Sequence, residues 1–148
     1  MTSNVKTGVG SLIISSGTGR VLFNLRSPDK TYGLCWSLWG GMVEGNETPK
    51  DALLREFSEE MGFVPVLQKI YPFDIYESKD KEFRFVSFVT IVDQEFIPQI
   101  NHEAVGYCWV NLGVWPKPMH SGARKSFCSK KSEDKLKIIL DQHMYERY

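Results

Sequence analysis

Three glutamates in this sequence have the spacing needed to act together. Glu56, Glu59 and Glu60 stand at i, i+3 and i+4, which on a helix places them on one face within an arc of about 100°. Carboxylates this close repel each other, and the neighbouring Arg55 can neutralise only part of their charge. A hard divalent cation bound through carboxylate oxygens would remove the repulsion, and Mg²⁺ is the usual choice where phosphate is also present. The spacing therefore indicates a divalent-metal site, with a run of charge on a solvated helix face as the alternative.

The residues around these glutamates predict the helix that positions them, over residues 49–61. Thr48 offers an N-cap hydroxyl, Pro49 suits the first helical position, and Gly62 supplies a stop. An apolar stripe adjoins the acidic face, so this face is expected to border the core; the stripe consists of Leu53, Phe57 and Met61.

The composition is that of an ordinary globular protein. The chain has 148 residues, 42% apolar and 24% charged, which fits one domain over residues 1–148 and excludes a wholly disordered chain. Its 18 basic and 18 acidic residues balance, so no overall field favours a nucleic-acid polymer or an anionic membrane as the partner. The acids are nevertheless concentrated, because six of the 18 lie within 17 residues: Glu44, Glu47, Asp51, Glu56, Glu59 and Glu60.

Nothing in the sequence predicts export or membrane insertion. We find no run of 18 apolar residues and no apolar leader segment. The three cysteines lack a C-x-x-C pairing, which is typical of reduced thiols: Cys35, Cys108 and Cys128. We therefore expect a cytoplasmic protein.

Apolar runs predict a sheet around the acidic helix. The predicted strands cover residues 9–14, 21–25, 64–69, 70–76, 82–92 and 107–110, the first two forming a hairpin. The run 82–92 is apolar on both faces, which favours a central strand. A second helix is predicted to begin at Ser132, with its apolar face formed by Leu136, Ile139, Leu140 and His143. The expected fold is a mixed β-sheet flanked by helices, either α+β or a three-layer α/β/α sandwich.

A longer pattern encloses the glutamates, in the stretch GMVEGNETPKDALLREFSEEMGF over residues 41–63. It is similar to the Nudix box, G-x5-E-x7-R-E-U-x-E-E-x-G-U with U apolar. At typical residue frequencies a chance match somewhere in the chain has a probability on the order of 10⁻⁷. Every specified position is filled, by Gly41, Glu47, Arg55, Glu56, Phe57, Glu59, Glu60, Gly62 and Phe63.

The chain thus resembles a small, MutT-like member of the Nudix hydrolase family. The resemblance implies the Nudix fold and a Mg²⁺-dependent or Mn²⁺-dependent pyrophosphohydrolase, which cleaves a nucleoside diphosphate linked to another group. The short chain favours a (d)NTP substrate. A nucleotide-sugar substrate of the ADP-ribose or GDP-mannose type is one alternative, and a non-catalytic nucleotide-sensing module is another. The expected partner is a small nucleotide, and a homodimer is left open.

The resemblance also implies roles for the residues of the box. Glu56, Glu59 and Glu60 would bind the metal together with the carbonyl of Gly41. Arg55 and Glu47 would pair and so tie the loop to the helix, which fixes the geometry of the ligands. Glu44 would lie near the metal or stabilise the loop. For the general base, relatives differ, and the alternatives are Glu59 and Glu103, the latter in the late sequence Asn101-His102-Glu103.

Substrate contacts are expected outside the metal ligands. Arg26, at the end of the second predicted strand, is the candidate for a phosphate contact. Five aromatic residues lie in segments that could border the pocket: Tyr32, Trp36, Trp39, Phe73 and Tyr76. Trp39 stands where relatives commonly have proline before the two glycines, and with Arg26, Glu44 and Tyr76 it completes the predicted substrate-binding set. The three histidines are interpreted as structural: His102, His120 and His143.

Overall fold

A mixed sheet of seven strands lies at the centre of the protein. The computed structural model describes residues 5–145 and leaves out residues 1–4 and 146–148, so the predicted 1–148 domain extends beyond the described residues at both ends. The strands are β1 (Lys6–Ser15), β2 (Arg20–Arg26), β3 (Trp36–Ser37), β4 (Trp39–Met42), β5 (Leu67–Glu77), β6 (Phe83–Val92) and β7 (Ala104–Asn111). The helices are α1 (Pro49–Met61), α2 (Ser121–Phe127) and α3 (Lys130–Tyr145).

Strand β1 is the strand from which the sheet branches. One edge of it pairs in parallel with β6 along its whole length. The other edge is shared, because Ile13 and Ile14 pair with β2 while residues 8–11 pair with β4. This second pairing sets Val9 opposite Gly41. The two glycines ahead of the acidic helix are therefore anchored to the middle of the sheet.

The sheet is covered on both faces, as the apolar run 82–92 predicts. Val86 and Phe88 of β6 pack in one core cluster with residues of α1, whereas Val89 and Ile91 pack in another with residues of α2 and α3. Successive side chains of a strand point to opposite faces. The fold is therefore a three-layer arrangement, with α1 on one face of the mixed sheet and α2 and α3 on the other.

Helix α1 forms where the sequence predicts it. The Thr48 hydroxyl accepts a hydrogen bond from the Asp51 N–H at 3.1 Å, and Pro49 occupies the first turn. Gly62 ends the helix with φ of 79°, a left-handed conformation that suits glycine, and its N–H donates to the Ser58 carbonyl.

Two predictions about the other elements are wrong. The two strands over 64–69 and 70–76 are a single strand, β5, whose register shifts near Pro72; proline is tolerated there because β5 is an edge strand with a bulge. Helix α3 begins before Ser132, since the Ser129 hydroxyl accepts from the Ser132 N–H at 3.1 Å. The short helix α2 was not predicted at all.

Trp39 lies inside the core, contrary to the expected substrate contact. It has no exposed surface, and its indole N–H donates to the Leu22 carbonyl at 3.0 Å. A side chain without exposed surface has nothing to offer a nucleotide, so Trp39 positions β4 against β2.

In the part of the chain that the structure describes, no helix is long and apolar enough to cross a membrane.

Trp39→Phe is expected to lower the free energy of unfolding by about 1–3 kcal/mol, because it removes the buried hydrogen bond to the Leu22 carbonyl and opens a cavity. Urea unfolding followed by far-UV circular dichroism measures the change. Val66→Ala, at a position that is 87% exposed, is the control and should stay within about 0.5 kcal/mol of the parent. An equal loss in the two variants would contradict the structural role of Trp39.

Candidate active site

The guanidinium of Arg55 is the centre of the acidic cluster. Its Nε and Nη2 atoms donate to the two oxygens of Glu47 at 2.8 and 3.0 Å, a bidentate pair. Its Nη1 donates to Glu56 at 2.9 Å and to both oxygens of Glu59 at 3.3 Å. A further bond from Nη2 to the Met42 carbonyl, at 2.8 Å, reaches the end of β4. The predicted pairing of Arg55 with Glu47 is present, and Arg55 also contacts two of the three predicted metal ligands.

Glu47 fixes the loop between β4 and α1. Its carboxylate accepts the Glu44 N–H at 2.9 Å in addition to the Arg55 bonds, and these contacts lower the pKa of Glu47, with the Arg55 hydrogen bond as the main cause. Glu44 itself has a side chain that is 71% exposed and lies 3.9 Å from Arg55. Of the two roles expected for Glu44, the structure provides the loop contact through its backbone.

The double glycine lets β4 approach the helix. A β-carbon at Gly41 would overlap the carboxyl group of Glu56, and one at Gly40 would overlap the Val9 carbonyl of β1. The Gly40 N–H donates to Oε1 of Glu60 at 2.7 Å. The backbone of β4 thus touches two of the three glutamates, which only residues without a side chain permit.

Burial makes the charge of these glutamates unfavourable. Glu56 is 8% exposed, and burial raises its pKa, with the Arg55 hydrogen bond acting in the opposite direction. Burial raises the pKa of Glu60 well above its ordinary value, and the charges of Glu56 and Glu103 raise it further. Glu59 is more exposed, at 55% of its side chain. Two of the three acids therefore favour a compensating cation or a proton.

A loop far along the chain brings Glu103 to the three glutamates of α1. The Asn101 side chain donates to the Glu59 carbonyl at 2.9 Å and accepts the Glu103 N–H at 2.8 Å, so it joins this loop to the end of α1. The charge of Glu103 raises the pKa of both Glu56 and Glu60. Lys30 lies 3.5 Å from Glu103. The structure therefore assembles four carboxylates from two distant segments.

Arg26 lies at the edge of this cluster. Its Nε donates to the Thr31 carbonyl at 2.8 Å, and its charge lowers the pKa of Glu60, opposing the larger effect of burial. The phosphate contact expected of Arg26 stays a prediction. Tyr76 is different, because it is 52% exposed on edge strand β5 and its partner in register is Phe85. Phe85 packs in the cluster of α2 and α3, so the register places Tyr76 on the face opposite α1.

The donor set fits a hard divalent cation. Carboxylate and carbonyl oxygens are the ligands that Mg²⁺ and Mn²⁺ prefer, and Gly41 leaves room for a backbone oxygen beside Glu56. Within residues 5–145 no group of three His, Cys, Asp or Glu side chains already has the geometry of a metal site. Arg55 instead contacts Glu56 and Glu59, so these side chains would have to turn from Arg55 toward a cation.

Sequence reasoning missed two residues that the site uses. Asn101 stands two positions before Glu103, and an Asn that caps a loop in this way is a recognised turn signal. Gly40 donates its N–H to Glu60. The signal in the sequence that could have indicated this role is that Gly40 stands beside Gly41.

The three-layer fold and its cluster of carboxylates define a small α+β protein with an acidic site between strand β4, helix α1 and the loop that ends at Glu103. A family model described as the NUDIX domain matches residues 5–129, and the chain belongs to this family of hydrolases. The resemblance drawn from the box is therefore confirmed, together with the fold.

Similar proteins carry different substrate names. The chain is 30% identical over 115 residues to a dihydroneopterin triphosphate diphosphatase of Haemophilus influenzae, covering 68% of this chain and 70% of that one. It is 38% identical over 61 residues to an ADP-ribose pyrophosphatase of Methanocaldococcus jannaschii, covering 40% of this chain and only 35% of the relative. Among solved structures, a MutT NUDIX hydrolase from Burkholderia pseudomallei superposes with a TM-score of 0.65 at 24% identity, covering 82% of this chain and 94% of that one.

The raised pKa of Glu60 predicts how stability depends on pH. Folding favours the protonated form of Glu60. This form stabilises the folded protein fully at pH values below the pKa of Glu60 in the unfolded chain, near 4.5. The stabilisation is lost as pH rises through the higher pKa that Glu60 has in the folded protein. In metal-free buffer, Glu60→Gln should match the parent near pH 4 and become more stable than it toward pH 8. The gain is about 1.4 kcal/mol for each unit by which the folded pKa exceeds the unfolded one.

Urea unfolding at several pH values, in the presence of a chelator, measures this difference. Glu82→Gln, an exposed glutamate before β6, is the matched control and should show no such divergence. A Glu60→Gln variant less stable than the parent at pH 8 would contradict the strained charge assigned to Glu60.

Proposed function

We propose that this protein is a Mg²⁺-dependent or Mn²⁺-dependent pyrophosphohydrolase that cleaves the diphosphate linkage of a nucleotide. The observation that carries the proposal is the convergence of Glu56, Glu59, Glu60 and Glu103, of which Glu56 and Glu59 contact the guanidinium of Arg55. With Glu47 these carboxylates outnumber the cations beside them, Arg55, Arg26 and Lys30, and leave negative charge that divalent cations would neutralise. Family membership supports the same chemistry.

Some residues of the site would bind the metal or the phosphate, and others hold these residues in position. Glu56, Glu59 and Glu60, with the carbonyl of Gly41, would hold the metal. When bound, such a metal neutralises phosphate oxygens and lowers the pKa of the attacking water. Arg55 and Glu47 act through the others, since their bidentate pair holds the Gly41 loop on α1. Arg26 would hold a phosphate at the edge of the cluster.

Glu103 is our choice for the general base over Glu59. Glu59 shares the Nη1 donor of Arg55 with Glu56 and is itself one of the residues proposed to bind the metal. Glu103 has a side chain that is 37% exposed and is held by a loop, with Lys30 as its nearest cation at 3.5 Å. Because Glu103 is not among the residues proposed to bind the metal, its carboxylate would remain available to a water molecule next to the metal ligands.

For the substrate we propose a (d)NTP or a compound of the same type, with a triphosphate on a base-bearing group. The H. influenzae relative, which acts on a triphosphate by its name, covers more of this chain than the ADP-ribose pyrophosphatase does. The alternatives are a nucleotide sugar of the ADP-ribose or GDP-mannose type and a nucleotide-sensing module without turnover. A panel of these compounds with Mg²⁺, analysed for free phosphate against pyrophosphate, distinguishes the first two.

Glu56→Gln is expected to lower kcat at least a hundredfold on whichever compound of the panel the parent cleaves, because it removes a charged ligand. Asp134→Asn, an exposed acid of α3, is the control and should keep the parent rate. Thermal unfolding with and without Mg²⁺ gives a second readout, since a metal bound only by the folded protein raises Tm. A parent that binds Mg²⁺ and nucleotide without forming product would contradict the hydrolase and support the sensing module.

The choice of base predicts a difference between two further variants. Glu103→Gln should lower kcat by about 10²–10⁴-fold and remove the acid limb of the pH profile of kcat, because it removes the group that accepts the proton. Glu59→Gln should retain that limb even where its rate is reduced. The measurement is kcat at saturating Mg²⁺ over pH 5–9. If the limb persists in Glu103→Gln and disappears in Glu59→Gln, the two roles are exchanged.

A further inference from the structure

The rings of Tyr32 and His120 form a contact that the proposed mechanism does not use. Their centroids lie 4.3 Å apart with planes tilted by 48°. Tyr32 belongs to the loop between β2 and β3, and His120 directly precedes α2, so 88 residues separate them in the sequence. The contact therefore joins the loop between β2 and β3 to the segment that precedes α2.

Tyr32 is held at the surface in an unfavourable conformation. It is 50% exposed and has φ of 57°, and Leu34 in the same turn is also 50% exposed with φ of 59°. Bulky residues rarely adopt this left-handed region, and strain of this kind is concentrated at ligand sites. The turn is closed by the Cys35 N–H, which donates to the Tyr32 carbonyl at 3.2 Å. The loop therefore maintains an aromatic ring at the surface although the backbone disfavours it.

His120 is fixed in one orientation and one tautomer. Its Nδ1 accepts the Gly122 N–H at 3.0 Å, which leaves the proton of the neutral ring on Nε2. Its backbone N–H donates to the Trp36 carbonyl at 2.8 Å. Burial lowers the pKa of His120, and the charge of Arg26 lowers it further, so the ring is neutral at pH 7. Nε2–H is then a donor suited to a carbonyl or ring-nitrogen acceptor.

Arg26 links this ring pair to the carboxylates. Arg26 is followed by Ser27, whose N–H donates to the Glu103 carbonyl at 2.9 Å, and Lys30 of the same loop lies 3.5 Å from the Glu103 carboxylate. The Nε of Arg26 donates to the carbonyl of Thr31, the residue before Tyr32. A phosphate chain held by Arg26 would therefore lie beside the loop that carries Tyr32.

We propose that Tyr32 and His120 select the substrate by its heteroaromatic base, with the base stacked on the exposed Tyr32 ring and hydrogen-bonded by Nε2–H of His120. This inference rests on the proposed function, because it assigns the non-phosphate part of the same substrate. It favours compounds whose base carries a carbonyl or ring-nitrogen acceptor.

The test compares a ligand that has a base with one that has none. For the parent and each variant, we would measure kcat and KM for a nucleoside triphosphate and the inhibition constant of inorganic triphosphate, at fixed Mg²⁺. Tyr32→Leu removes the aromatic face, Tyr32→Phe retains it and is the matched control, and His120→Asn retains a side-chain acceptor for the Gly122 N–H. Thermal unfolding confirms that each variant is folded.

Stacking predicts an effect on the base alone. Tyr32→Leu should raise KM for the nucleotide about tenfold with kcat within about twofold, and leave the inhibition constant of inorganic triphosphate within about twofold. Tyr32→Phe should behave as the parent, and His120→Asn should raise KM at least about threefold. Equal effects on both ligands, or none in Tyr32→Leu, would overturn the inference while the proposed function stands.

A parent that cleaves no compound of the panel would instead refute the proposed function. The ring pair is then tested by calorimetric binding of a methylene-bridged nucleoside triphosphate in the presence of Mg²⁺. A tenfold weaker affinity in Tyr32→Leu but not in Tyr32→Phe would support the inference, and unchanged affinity in both would overturn it.

Discussion

The bidentate pair between Arg55 and Glu47 is the interaction on which the site depends. It holds the loop after β4 against α1, and the remaining donors of the same guanidinium contact Glu56, Glu59 and the Met42 carbonyl. A planar fork with fixed donors can join three carboxylates and a carbonyl at once, which a lysine could not do. Because this one guanidinium contacts three carboxylates, the contacts organise the cluster without neutralising it, and the proposed metal site rests on that residual charge.

The second constraint comes from the sheet, which fixes the β4 end of the loop between β4 and α1. Pairing of β4 with β1 sets Gly41 opposite Val9, and the packing of α1 on the same face brings Glu56 against Gly41. The buried Trp39 fills the space that this arrangement leaves, which explains why its aromatic ring is structural.

The overall charge balance of the chain is compatible with a strongly acidic site, because the balancing cations lie elsewhere on the surface.

Features fixed by neighbouring residues were predictable from the sequence. Helix α1, its caps at Thr48 and Gly62, and the pairing of Arg55 with Glu47 follow from spacing within 22 residues. The continuity of β5 through Pro72 was not predictable, because a bulge on an edge strand depends on its partner. Helix α2 has only seven residues and is capped by a histidine, so local propensity gave no signal for it. The burial of Trp39 depends on α1 and β2, which no local pattern describes.

This division between local and distant contacts has a consequence for how the protein can differ from its relatives. The residues proposed to bind the metal lie in one short segment, whereas Arg26 ends strand β2 and Glu103, Tyr32 and His120 come from loops that only the fold brings together. Substitutions in those loops can alter what is recognised without disturbing Arg55 and its carboxylates. Relatives that share the fold can therefore bear names as different as a pterin triphosphate diphosphatase and an ADP-ribose pyrophosphatase. The substrate must accordingly be inferred from the loops of this chain, since the residues of the box specify only the phosphate end.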